Sequence, residues 1–172
     1  LKLSPFGDVL KGSELNTMIE NYQKAVSGKL IAILETPYSA KIFGKIFGQN
    51  RILIGSTNTG RANYDAMGMI SFNSLLFNSL RSGKNFYDAF QATSQMMTSL
   101  KTPYSTQTPQ LDDSGDGYST SGDGIVAKTF CLNGCFDYPL GKITLTPSGT
   151  GGSVNMGQTV ELSVSATSEG SV

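Results

Sequence analysis

Two stretches, Leu30-Ile-Ala-Ile-Leu34 and Arg51-Ile-Leu-Ile-Gly55, decide the fold class. Each is a short continuous apolar run, the pattern of a strand buried on both faces. Between them, Ala40 to Phe47 reads as a short helix. Ahead of them, Ser13 can cap a helix over 13–27 whose Leu15, Met18, Ile19, Tyr22 and Val26 recur at helical spacing before Gly28 stops it. Helix, strand, helix, strand predicts a parallel α/β arrangement. Ser71 to Arg81 places Phe72, Leu75, Leu76 and Leu80 on one face of a further helix, with Gly83 beyond its end. Another helix starts at Asn85, with Asp88 three residues on. Its stripe is Phe86, Ala89, Phe90, Thr93, Met97 and Leu100, and the Met96-Met97 pair is read as packing rather than as a soft-metal surface.

After Lys101 the pattern changes. Residues 101–124 are polar, without periodicity, and read as a long functional or ion-ordered loop. Lys142-Ile-Thr-Leu-Thr146 and Thr159-Val-Glu-Leu-Ser-Val-Ser165 then alternate apolar and polar residues, as strands with one wet face do, joined through Pro147 to Gly157. This divides the chain into an α/β part, 1–137, and the start of a β module, 138–172. Two buried strands cannot complete a sheet, so at least one edge is expected to be open. Either a protein partner, a second copy or the protein's own preceding half would complete it. Leu1 is not a start methionine, which suits a processed or truncated piece.

Composition removes several functions. The 172 residues carry 13 basic and 13 acidic side chains, so no general affinity for nucleic acid or anionic membrane is implied. The balance is uneven along the chain: residues 1–101 hold 11 basic and 6 acidic side chains, the remainder 2 and 7. There is no histidine, which excludes Ser-His-Asp and Cys-His catalysis and imidazole-bound zinc within this chain. No run is long enough to cross a membrane as a helix. Cys131 and Cys135 read first as a local disulfide and otherwise as two structural thiols; an oxidised pair, with the Gly- and Ser-rich, charge-poor composition, points to an extracellular location.

The order and content of these segments resemble a known family. Leu30 to Phe43, LIAILETPYSAKIF, is similar to the strand-and-nucleophile segment of the legumain-like, caspase-fold cysteine peptidases of the bacterial secreted branch. Ile52 to Thr57 resembles their next strand. Met69-Ile-Ser-Phe72 and the helices to Leu100 resemble the elements after that strand, and Gln107-Thr-Pro-Gln-Leu-Asp-Asp-Ser-Gly-Asp-Gly117 resembles a long acidic motif. The resemblance spans about residues 8 to 130. It implies the C-terminal half of a three-layer, caspase- or flavodoxin-like α/β domain with a partial parallel sheet, followed by the opening strands of an immunoglobulin-like sandwich.

The same resemblance implies lost chemistry. The family needs a thiolate where this chain has Pro37 and an imidazole that the chain lacks. Ser39 is a weak nucleophile without a base, and Glu35 reads as a solvated or helix-capping acid rather than as that base. Ser56 and Thr57 match positions bordering the family's substrate pocket; otherwise they are strand-end hydroxyls bonded to backbone. The expectation is a catalytically inactive peptidase-like structural or interaction module. The alternatives are a cysteine-type endopeptidase of the family and a subunit of a strand-complemented assembly with 159–165 as the donor strand.

One further motif suggests an ion. Asp112, Ser114, Asp116, the carbonyl of Tyr118 and Asp123 stand at positions 1, 3, 5, 7 and 12 of a calcium-loop spacing, with Gly117 at position 6 for the turn. Hard oxygen ligands at this spacing can wrap Ca²⁺. The alternative is a solvated acidic loop.

Overall fold

The computed structural model describes residues 9–132 other than Ala66, together with the backbone of 144–148 and 163–167. It divides into two units, Leu1–Cys135 and Phe136–Val172. The first is mixed α/β, with a three-stranded sheet and four helices. Its elements are α1 (Gly12–Ala25), β1 (Leu30–Leu34), a 3-10 turn (Ser39–Ile42) leading into α2 (Phe43–Ile46), β2 (Arg51–Gly55), α3 (Phe72–Arg81), α4 (Phe86–Ser99) and β3 (Gln110–Asp112).

The sheet order is β1-β2-β3. β1 and β2 run parallel, Leu30 beside Arg51 through Leu34 beside Gly55, as their apolar runs predict. The third strand corrects the sequence reading twice. It lies inside the stretch read as loop, and it runs antiparallel, Leu53 beside Asp112 and Gly55 beside Gln110, so the sheet is mixed rather than parallel. A three-residue strand with one apolar side chain has no period to detect. Leu111 is nevertheless 2% exposed, and its burial fixes the strand.

Strand alternation sends neighbouring side chains to opposite faces, and the two faces serve separate apolar clusters. Ile31, Ile33, Ile52 and Ile54 meet Phe72, Leu76 and Leu80 of α3 and Phe86, Ala89, Phe90 and Met97 of α4. Ala32, Leu34 and Leu53 meet Phe43 and Ile46 of α2 and Leu15 and Ile19 of α1. Every residue of β2 is buried, whereas every residue of β1 is only half-buried.

The helix ends follow local chemistry. Ser71 caps α3, its Oγ accepting from the Ser74 N–H at 3.0 Å. Asn85 caps α4, its Oδ1 accepting from the Asp88 N–H at 2.8 Å. α1 begins a residue ahead of the predicted Ser13, with Glu14 Oε2 accepting from the Lys11 N–H at 2.7 Å. Its predicted apolar stripe is real but mostly uncovered: Leu15 and Ile19 pack inward, while Met18, Tyr22 and Val26 are 59%, 55% and 44% exposed. On α4, Met97 is buried and Met96 is not, so one of the pair packs in the core.

Arg51, which opens β2, is 5% exposed. Its Nη1 donates to the carbonyls of Ile46 and Phe47 at the end of α2 and to Asn16 Oδ1 of α1, and its Nε donates to Gln23 Oε1 at 2.7 Å. A cation at a helix C-terminus is electrostatically favoured, and this one also ties α1 to the sheet. The apolar reading of 51–55 gave no sign of it.

The second unit contains an antiparallel pair, β4 (Thr144–Ser148) and β5 (Ser163–Thr167). Both lie slightly downstream of the predicted strands, and Pro147, expected in the connection, falls inside β4. Most of the segment proposed as a donor strand falls outside the described residues, and its last three residues belong to β5, already paired with β4.

Candidate functional site

The C-terminal ends of parallel strands are where open α/β sheets place their ligands, and the sequence puts Glu35, Pro37, Ser39, Ser56 and Thr57 there. The structure gives each polar group a partner inside the fold. Glu35 Oε1 accepts from the Phe72 N–H at 2.7 Å and Oε2 from the Asn73 N–H at 3.2 Å. With Ser71 taking the next N–H, the first turn of α3 is satisfied, and a carboxylate there is favoured by the helix dipole. Glu35 is thus the helix-capping acid and not a base for Ser39.

Ser39 is fully buried. Its Oγ donates to the Thr57 carbonyl and accepts from the Thr57 N–H, both at 3.1 Å, with Ser56 Oγ at 3.4 Å. Thr57 Oγ1 donates to the Thr59 carbonyl at 2.7 Å. Ser56 and Thr57 are themselves fully buried, and the Ser56 N–H donates to the Leu34 carbonyl at 2.9 Å, so they hold the ends of β1 and β2 together. Gly55 permits this approach: a Cβ there would stand 3.1 Å from Ser39 Oγ and from the Ala40 N.

Pro37 remains at the surface. It lines a groove of about 490 Å³ with Tyr38, Lys41, Ile42 and Lys45. A second groove of about 400 Å³ lies on the other side of Lys41 and Lys45, against Gln110 and Tyr118. Tyr38 has φ 56°, a left-handed conformation uncommon for a non-glycine residue, and its N–H donates to the Gly60 carbonyl at 3.1 Å. Pro37 therefore brings a ring without a reactive atom to this groove. It is followed by a residue turned outward and then by a serine turned inward.

The acidic loop is built on the same principle. Asp112 Oδ1 accepts from the Gly115 N–H and the Ser114 hydroxyl, and Oδ2 from the Gly117 N–H at 2.9 Å. Asp123 Oδ1 accepts from the N–H groups of Asp113 and Ser114, and Oδ2 from the N–H and hydroxyl of Thr120. Burial pushes the Asp123 carboxyl up, but these bonds from Thr120, Asp113 and Ser114 outweigh it and hold the group below its ordinary value of 3.8. Asp116 is exposed and accepts from the Tyr118 N–H at 2.8 Å. Gly117 makes the predicted sharp turn at φ 84°.

The partners of the Asp112 and Asp123 carboxylates all come from within the loop itself. Among the described residues no three acidic or cysteine side chains come together in a way that could hold a metal ion. The group the sequence reading omitted is Asp113: it is 8% exposed, Oδ1 accepts from the Gly124 N–H at 2.9 Å, and Oδ2 from the Ala127 N–H at 2.7 Å. The signal was present, since paired aspartates in a Gly- and Ser-rich stretch are the side chains that bond neighbouring backbone N–H groups.

Cys131 is disulfide-bonded, and its neighbourhood bridges to Asn85 at the start of α4; Cys135 lies outside the described residues. Among the described residues no helix is long and apolar enough to cross a membrane. Compared with known proteins, the chain matches no family model, no curated protein and no solved structure.

Proposed function

We propose that this chain is a non-catalytic, peptidase-like interaction module of a secreted or cell-surface bacterial protein, derived from the legumain-like, caspase-fold scaffold. The observation that carries the reading is Pro37 just past the end of β1, in a groove beside which the Ser39 hydroxyl and the Glu35 carboxylate are engaged in holding the fold. A nucleophile needs a free lone pair and a base within hydrogen-bond reach. Ser39 is buried against Thr57, and Glu35 is bonded to α3. A parallel β1–β2 pair with helices on both faces accords with the caspase-like arrangement that the sequence resembles.

The experiment is a fluorogenic peptide panel run on the chain and on Pro37→Cys. The expected result is no turnover from either protein, because the cysteine would still lack an imidazole. Turnover by the unaltered chain that is abolished by a thiol-blocking reagent would overturn the proposal.

A further inference from the structure

We infer that the groove between α2 and the loop after β3 binds an acidic peptide, with the peptide's side-chain carboxylates seated on Lys41 and Lys45. The inference rests on the interaction reading and deepens it by naming a surface and a ligand class. The groove has a volume of about 400 Å³, within the range of ligand sites, and lies on the far side of the two lysines from Pro37. Its walls are pinned by backbone contacts. The Ala40 N–H donates to the Thr57 carbonyl at 3.1 Å, and the Asn58 N–H to the Thr108 carbonyl at 2.9 Å. The Gly117 N–H is held by Asp112 Oδ2, and a Cβ on Gly117 would stand 3.1 Å from the Gly44 Cα. Walls fixed in this way spare a ligand the cost of ordering them.

The charge in the groove has one sign. Lys41 and Lys45 both line it and both are exposed. They stand four residues apart on one helical surface, a spacing at which like charges are destabilising, and a carboxylate set between them removes that repulsion. Among the described residues no acidic side chain lines the groove. The carboxylates of the adjoining loop are engaged by its own backbone: Asp112 accepts from the N–H groups of Gly115 and Gly117, and Asp116 from that of Tyr118.

The other lining groups match a peptide better than a simple anion. Ser119 Oγ accepts from the Leu111 N–H at 3.2 Å, which leaves its hydroxyl proton to donate. Gln110 Nε2 donates to the Pro109 carbonyl at 2.8 Å, which leaves Oε1 to accept. Asn58 adds a side-chain amide with both a donor and an acceptor. An ionised phosphate offers no N–H to Gln110, whereas a peptide backbone carries donors and acceptors in alternation beside its side-chain carboxylates.

The test is fluorescence anisotropy of the full chain with a labelled octapeptide of alternating glutamate and glycine, beside its glutamine counterpart. The glutamate peptide is expected to bind, and the glutamine peptide about tenfold more weakly. Replacing both lysines, Lys41→Gln with Lys45→Gln, should cost about tenfold, and Asn58→Asp, which sets a carboxylate in this groove alone, about fivefold. Asp116→Asn removes a neighbouring exposed charge and should tighten binding about twofold. Tyr38→Asn, in the Pro37 groove and at a left-handed position that asparagine tolerates, should change nothing. Circular dichroism checks that each variant is folded. Equal affinity for the two peptides, or none for either, would overturn the inference, as would lysine and Asn58 variants that bind undiminished. Displacement of the peptide by an equal concentration of phosphate or glutarate would show a small-anion site only and overturn it too, and a loss on Tyr38→Asn would move the peptide to the other groove. Binding is read without turnover, so none of these results depends on the peptidase assay.

Discussion

The two outer strands of the sheet make a pair of opposites. β3 is short, follows Pro109, and has its own loop folded over its free side: the Leu111 N–H donates to Ser119 Oγ at 3.2 Å, and Asp112 and Asp113 gather the N–H groups of residues 115, 117, 124 and 127. β1 has a longer apolar run, and among the described residues it pairs with β2 alone. The β3 edge is closed by carboxylates accepting backbone donors; β1 is held by its parallel ladder to β2. The polar residues at the candidate sites close the first edge and brace the strand ends, and the apolar run supplies core to both faces of the sheet.

That contrast can be broken at β3. Asp113→Ala leaves two buried N–H groups without acceptors and should cost on the order of 4 kcal/mol, since hydrogen bonds to charged groups contribute roughly 1.5–3 kcal/mol each. Urea unfolding checks the loss, and limited proteolysis should then cut within 113–127. Leu111→Ala removes the one apolar anchor of β3 and should cost roughly 3 kcal/mol, measured in the same way. A loss below about 1 kcal/mol from both variants would mean that this closed edge is incidental to the fold.

Smaller effects sharpen the comparison. Glu35→Gln weakens the cap on α3 and should cost roughly 1 kcal/mol, read from thermal unfolding. The Asp123 carboxyl sits below its ordinary value of 3.8 in the folded chain, so its contribution is fully present above that value and is lost as pH falls through the lower folded value. Protease resistance of 112–127 should therefore hold at neutral pH and decline below about pH 4, with Asp123→Asn already weakened at neutral pH. Because N–H donors satisfy Asp112 and Asp123, digestion of this segment in calcium and in chelator should give the same pattern. Protection by calcium alone would show that an ion, rather than this network, closes the β3 edge.

Much of this was legible in the sequence. The buried runs at 30–34 and 51–55 gave two strands, and helical spacing with Ser71 and Asn85 as caps gave α3 and α4, because periodicity and capping are local properties. The features that escaped a local reading depend on distant contacts. β3 is a strand because Leu111 is buried beside Ile54, Arg51 is buried because it reaches carbonyls at the end of α2, and α1 has an apolar stripe that only half finds a partner. At the candidate site, Pro37 was readable as the loss of a nucleophile within the family resemblance. The inward turn of Ser39 was not, because it depends on the close approach that Gly55 permits.

The most direct measurement is amide hydrogen exchange, residue by residue. The account predicts that the N–H groups of Gly115, Gly117, Gly124 and Ala127 are protected as well as that of Ala32 in β1, because Asp112 and Asp113 accept them. Free exchange of these four amides beside a protected Ala32 would contradict it.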